Sequence, residues 1–288
     1  MYPSIRDDML GVFESPLAGL RHLGLDAIEL EIDRDLRVVN LNGGERVDLG
    51  TDSARREYGA VLSSNNIRVA GLLTMCDFSA ADPESNVAWM ARAVEIAADL
   101  GADNVRVDTA MTEEQSHSFG YRVDVFVRDL GEVIGRTPGI PVALGMENHG
   151  FQGNNLAFLL NIIQDIDSER IGVTLDTGNF YWRGYPLSEV YGILKILAPY
   201  AKHTHLKNIA YPEAMRETTR ESGYEYMRYV SALEDGDIDH AVVVGLLRQV
   251  GYVGDLCIEN ESLENFETTA DKIAVLERDA AHVKGVLA

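Results

Sequence analysis

The chain has 288 residues, 46% of them apolar and 25% charged, which is enough apolar material for a sizeable core in an ordinary soluble protein. Its net charge of −21 argues against nucleic acid and anionic membrane surfaces as partners, because a phosphate backbone is bound mainly through Lys and Arg. No apolar run is long enough to span a bilayer, and the start (Met1-Tyr2-Pro3-Ser4) has no signal-peptide pattern. Cys76 and Cys257 lie far apart and outside any CxxC, so they read as reduced, buried thiols of a cytoplasmic protein.

The elements come in a repeating order. A short strand is expected at Tyr2–Arg6, then a helix over Ser15–Leu23 that stops at Gly24. Ala27–Asp33 alternates strictly and predicts a strand; residues 34–50 are turn-rich and predict a loop; Thr51–Ser64 predicts a helix. The pattern continues with strand Ile67–Cys76 and helix Pro83–Leu100, strand Asn104–Asp108 and helix Val123–Ile134, strand Pro141–Asn148 and helix Asn155–Ile166. It ends with strand Ile171–Asp176 and helix Leu187–Leu197, strand Ala201–Asn208 and helix His240–Val250, and strand Asp255–Asn260 and helix Phe266–Val286. Eight strands alternating with helices, with no linker between them, predict one α/β domain over residues 1–288, a closed (β/α)8 TIM barrel. There is no GxGxxG after the first strand and no P-loop.

In such a barrel the chemistry lies at the carboxyl ends of the strands. There the chain places Glu147-Asn148-His149, Asp176-Thr177-Gly178-Asn179, His203-Thr204-His205-Leu206-Lys207 and Glu259-Asn260-Glu261. Strand alternation puts His203, His205 and Lys207 on one face, Glu147 and His149 on one face, and Glu259 and Glu261 on one face. Asp176 is also in place to cap the turn that follows it. Of Glu259 and Glu261, one reads as a ligand and the other as its support. Glu, Asp, His and Glu on successive strand ends, with no thiolate nearby, favour one divalent ion such as Mn²⁺, Mg²⁺ or Co²⁺ over a structural zinc. Such an ion polarises a substrate oxygen, and two flanking carboxylates exchange a proton with the adjacent carbon.

These pieces, with Leu23-Gly24-Leu25-Asp26-Ala27-Ile28-Glu29-Leu30 and Gly236-Asp237-Ile238-Asp239, resemble the xylose-isomerase-like barrel superfamily of sugar isomerases and epimerases, inosose dehydratases and endonuclease IV type nucleases. The resemblance implies Glu147, Asp176, His205 and Glu259 as metal ligands, and Glu147 and Glu259 as the catalytic acid–base pair. It further implies His203 as support beneath the ion and Lys207 as a substrate contact. Many members carry His where this chain has Asn179, which leaves a hydrogen-bonding group for substrate but weakens a second-metal role. The strands around Thr74 and Asp108 also lack the His residues of the three-zinc nucleases, which argues against that branch. His149, Asn179 and Trp182 are further candidate substrate contacts. The long segment Ile209–Asp239, rich in Arg and Tyr, is expected to act as a lid, as a contact between subunits or as a surface helix. As a lid it would supply an Arg such as Arg216 to substrate, and a homo-oligomer is expected by family habit.

The expected activity is isomerisation or epimerisation of a small sugar, keto-sugar or polyol. The alternatives are elimination from a keto-inositol or 3-keto-sugar on the same scaffold, or a non-catalytic sugar- or metal-binding barrel.

Overall fold

The computed structural model describes residues 1–79 and 82–288. Eight parallel strands close into a barrel: β1 (Tyr2–Arg6), β2 (Ala27–Glu31), β3 (Arg68–Thr74), β4 (Asn104–Val107), β5 (Ala143–Glu147), β6 (Ile171–Asp176), β7 (Ala201–Leu206) and β8 (Asp255–Ile258). Each strand pairs with its neighbours in sequence, and β1 closes the ring by pairing with both β2 and β8. A long helix follows each strand: α1 (Pro16–Leu23), α2 (Asp52–Ser64), α3 (Pro83–Leu100), α4 (Phe119–Arg136), α5 (Leu156–Ile166), α6 (Leu187–Leu197), α7 (His240–Gln249) and α8 (Thr269–Leu287).

Local chemistry sets the ends of these helices. Pro83 opens α3, the Asp82 side chain caps it by accepting the Ser85 N–H, and Gly101 closes it at φ 75°, a left-handed conformation that suits glycine. Ser118 caps α4 in the same way, so this helix starts four residues before the predicted Val123. The predicted loop over 34–50 holds a small antiparallel pairing of Arg37–Val38 with Val47–Asp48. No helix among the described residues is long and apolar enough to cross a membrane.

The two faces of the strands divide the labour. Val105, Val107, Leu144, Met146, Val173 and Leu175 are buried in the hydrophobic core, where the helical layer covers the strands. The alternate residues, including Arg106, Glu147, Asp176, His203 and His205, fall on the opposite face, inside the ring, and are buried as well. A barrel interior is packed rather than hollow, so these polar groups must satisfy one another or a ligand.

The segment after β7 folds back on itself. Asn208–Ile209 pairs antiparallel with Val230–Ser231, and the part between holds two single helical turns, Glu213–Arg216 and Tyr226–Tyr229. Arg220 anchors the segment, with its guanidinium 4.5 Å from the Tyr181 ring centre and 4.3 Å from that of Tyr211. It also donates to the carbonyls of Thr218, Tyr185 and Tyr181 at 2.8, 2.9 and 3.3 Å.

Candidate metal and catalytic site

Glu147 and Asp176 end β5 and β6, His205 is the penultimate residue of β7, and Glu259 follows β8. These strands are consecutive in the barrel, and register pairs Asp176 with His205 and His205 with Cys257. The four side chains therefore converge, with one ligand atom of each within 4.8 Å of the others and all four residues buried.

Asp176 answers both of its sequence readings, one oxygen to each. Its Oδ1 accepts the N–H of Gly178 at 2.7 Å and of Asn179 at 2.6 Å, capping the turn. Its Oδ2 has no hydrogen-bond partner among the described residues; the Lys207 ammonium lies 3.4 Å away, at ion-pair distance but outside hydrogen-bonding geometry. Glu259 Oε2 is in the same position, 3.3 Å from both Lys207 Nζ and His205 Nδ1 yet without a hydrogen bond. His205 Nδ1 is also 3.3 Å from Glu147 Oε1. Buried carboxylate oxygens left without a partner are uncommon because desolvation is costly. Two of them facing an imidazole nitrogen and a third carboxylate suit a divalent cation with oxygen-rich coordination.

Electrostatics separates the three carboxylates. Burial alone would raise the Glu147 carboxyl, but Arg106 and His205 outweigh it and hold it well below the usual range. Burial likewise opposes ionisation of Glu259, which Lys207, His205 and Arg6 keep low. Asp176 goes the other way: burial raises it, Lys207 only partly compensates, and Glu259 and Glu147 add repulsion. A cation in the site would relieve that repulsion. Burial lowers His205, but Glu29, Glu259 and Glu147 push it up to about 10, so a cation must displace the Nδ1 proton.

Above the four ligands a cavity of 130 Å³ is lined by His149, Asn179, Trp182, Lys207, Tyr226 and Glu261. Asn179 donates to Glu147 Oε1 at 3.1 Å and accepts from Lys207 at 3.2 Å. Glu261 takes the Lys207 ammonium at 2.6 Å and the hydroxyl of Tyr226 on its other oxygen. His149 leans on Asp108 at 2.9 Å. Arg216 does not line this cavity: its guanidinium is held by Asp237 at 2.9 Å and by the Tyr211 carbonyl. The segment Ile209–Asp239 thus presents Tyr226 to the cavity rather than an arginine. The reason is local, since Arg216, Arg220 and Arg228 are all engaged by carbonyls or carboxylates close to them.

The barrel interior holds groups that were not assigned from sequence. Arg106 on β4 pairs with Glu147 and, at 3.3 Å, with Asp108; Arg6 on β1 pairs with Glu259. Glu29 on β2 contacts both His203 and His205. Cys257, likewise unassigned, donates its thiol to Glu29 Oε2 at 3.7 Å. It precedes Glu259 by two residues on the same strand, so it shares that face one layer deeper. The same alternation marks Glu29 and Arg106 once the strands are known to close into a ring.

A family model for the xylose isomerase-like TIM barrel matches residues 17–279. An uncharacterized protein of Methanocaldococcus jannaschii is 27% identical over 143 residues, 47% of this chain and 43% of that protein, so the chain matches less than half of that relative's length. A xylose isomerase-like TIM barrel protein from Mycobacterium smegmatis, solved in complex with magnesium, is 18% identical, with 100% of this chain and 98% of that one covered and a TM-score of 0.71. An L-ribulose 3-epimerase is 17% identical with 99% and 94% covered and a TM-score of 0.68. The probable 3-DHS dehydratase AsbF from Bacillus anthracis is 12% identical with 99% of each chain covered and a TM-score of 0.64. At these identities the likeness to solved structures is one of fold.

Proposed function

The chain belongs to the family of xylose isomerase-like TIM barrels, and on that premise we propose that it is a divalent-metal-dependent isomerase or epimerase of a small sugar, keto-sugar or polyol. The observation that carries this reading is the pair of buried, partnerless oxygens on Asp176 and Glu259, set beside His205 Nδ1 and Glu147 Oε1. Glu147, Asp176, His205 and Glu259 would hold the ion; Mn²⁺, Mg²⁺ and Co²⁺ fit a set of three carboxylates and one imidazole. When bound, the ion supplies Lewis-acid polarisation of a substrate carbonyl or hydroxyl oxygen.

The protein's own groups then move the proton. Arg106 beside Glu147 and Arg6 beside Glu259 keep both carboxylates ionised and therefore able to accept one. One glutamate removes the proton alpha to the carbonyl, giving an enediolate; the other, once it has taken a proton from solvent or a substrate hydroxyl, returns it to the same or the neighbouring carbon. Lys207 places an ammonium at the cavity wall, where it offsets the negative charge that develops on the substrate oxygen. Asn179 and His149 supply hydrogen bonds to hydroxyls, and Trp182 an apolar face. Bound substrate would take Lys207 and Tyr226 from Glu261.

Elimination is the second reading, favoured by one feature: Tyr226 and Lys207 both bring a proton donor to the cavity, which a departing hydroxyl requires. Proton NMR of keto-sugars in D₂O separates the two, since exchange without loss of water supports isomerase and an unsaturated product supports lyase. Glu147→Gln and Glu259→Gln are each expected to lower turnover by about 10²- to 10⁴-fold. Near-wild-type turnover of both variants would overturn the two-glutamate scheme.

A further inference from the structure

We propose that Glu29 is a positioning residue for this site: it fixes His205 so that Nδ1, and not Nε2, is the nitrogen offered to the cation. The inference rests on the metal-dependent reading above. Glu29 is buried inside the barrel, below the four ligands, and its two oxygens serve two histidines. Oε2 accepts from His205 Nε2 at 2.8 Å and Oε1 from His203 Nε2 at 2.9 Å. His203 is itself fixed, because its Nδ1 donates to Asp255 Oδ1 at 2.8 Å. Asp255 is gripped in turn by the Ser4 hydroxyl at 2.6 Å and the Tyr252 hydroxyl at 3.2 Å.

Glu29 therefore cannot swing away without losing both histidines. Nor can His205 release its Nε2 proton cheaply, since a bare nitrogen lone pair would then face a carboxylate oxygen at 2.8 Å. The proton given up on ligation is the one on Nδ1. A carboxylate on the far ring nitrogen also makes the imidazole a stronger ligand, the usual arrangement at metal-bound histidines. Glu29, His203, His205 and Cys257 also lie close enough together to hold an ion of their own. In that deeper group, however, both Glu29 oxygens and the three ring nitrogens of the two histidines that face carboxylates there are already paired, and no side-chain oxygen of the group is left without a partner.

The test uses chelator-treated full-length protein. Mn²⁺ affinity is measured by titration calorimetry for wild type, Glu29→Gln, Asp176→Asn and Cys257→Ser. Nitrogen-15 NMR of Cd²⁺-loaded protein reports which His205 nitrogen carries the metal and which the proton. The proposal expects an Nδ1–metal bond with Nε2–H retained in wild type, and a loss of about 10- to 100-fold in Mn²⁺ affinity for Glu29→Gln. It expects no uptake by Asp176→Asn and wild-type affinity for Cys257→Ser. If Glu29→Gln folds poorly, Asp255→Asn tests the same chain one bond further back, with a smaller loss expected. Wild-type affinity in a folded Glu29→Gln, or an Nε2–metal bond, overturns the proposal while leaving the metal reading intact. A Cys257-dependent thiolate band in Co²⁺-loaded protein overturns it too, by making Glu29 a ligand. Wild-type protein that takes up no Mn²⁺ overturns the metal reading, and the role of Glu29 falls with it.

Discussion

Two clusters inside the barrel share His205 and differ in how their polar atoms are satisfied. The upper one, Glu147, Asp176, His205 and Glu259, leaves Asp176 Oδ2 and Glu259 Oε2 buried without a hydrogen bond. The lower one, Glu29, His203, His205 and Cys257, is equally compact, yet each Glu29 oxygen accepts from a histidine. Ligand-type residues at ligand-type spacing are thus not enough to identify a metal site. What separates the two is unmet hydrogen-bonding demand: the upper cluster leaves two carboxylate oxygens unpartnered among the described residues, and the lower one completes itself. Arginine placement reinforces the difference, since Arg6 and Arg106 reach the upper carboxylates but do not pair with Glu29.

This contrast can be broken or sharpened by substitution. The largest effect is expected from Asp176→Asn, which removes the unpaired oxygen but keeps the turn cap. Metal content by elemental analysis and turnover should both fall to background while the circular dichroism spectrum is retained. Next is Arg106→Met, which strands the buried Glu147 charge and should cost about 3–5 kcal/mol in urea unfolding; a loss under about 1 kcal/mol would show that Glu147 finds another partner.

Asp7 offers a buried carboxylate that, among the described residues, is paired with neither cation nor histidine. Burial, with repulsion from Asp8, raises it from 3.8 to about 7 in spite of the Glu31 N–H that it accepts. Between those values the folded state keeps a proton that the unfolded chain releases, so stability should fall as pH rises from about 4 to 7 and level off above. The span is on the order of 4 kcal/mol. Asp7→Asn should flatten the profile and leave the protein more stable than wild type at pH 8, as read by urea midpoints.

Tyr226→Phe removes one hydrogen bond at the cavity mouth and is worth about 1 kcal/mol. It should raise KM several-fold and leave metal affinity unchanged. A fall in kcat alone would instead mark Tyr226 as a proton donor and favour the elimination reading. Cys257→Ser should move metal affinity least of all.

Much of the upper site is legible from strand alternation. Glu147, Asp176 and Glu259 each terminate or follow an apolar strand, where a carboxylate has few structural uses, and His205 shares its face of β7 with His203 and Lys207. The segment Ile209–Asp239 was legible in extent but not in content. Arg216 and Tyr226 both lie in it, and only the fold shows Arg216 spent on Asp237 while Tyr226 reaches Glu261. Cys257 and Glu29 were passed over for a related reason. Both obey the same alternation, but their importance depends on which strands lie opposite each other across the ring.

The period-2 and helical repeats, the caps at Ser15, Asp82 and Thr268, and the eight-fold count of units follow from local chemistry, because backbone sterics and side-chain hydrogen bonds act within a few residues. The meeting of Glu29 with His203 and His205, 174 and 176 residues apart, does not. It exists because the barrel closes, brings β2 across from β7, and excludes the water that would otherwise satisfy each group. Closure and desolvation are properties of the whole ring, and they turn a row of alternating polar residues into one cluster with unpartnered carboxylate oxygens and one beneath it whose oxygens are paired.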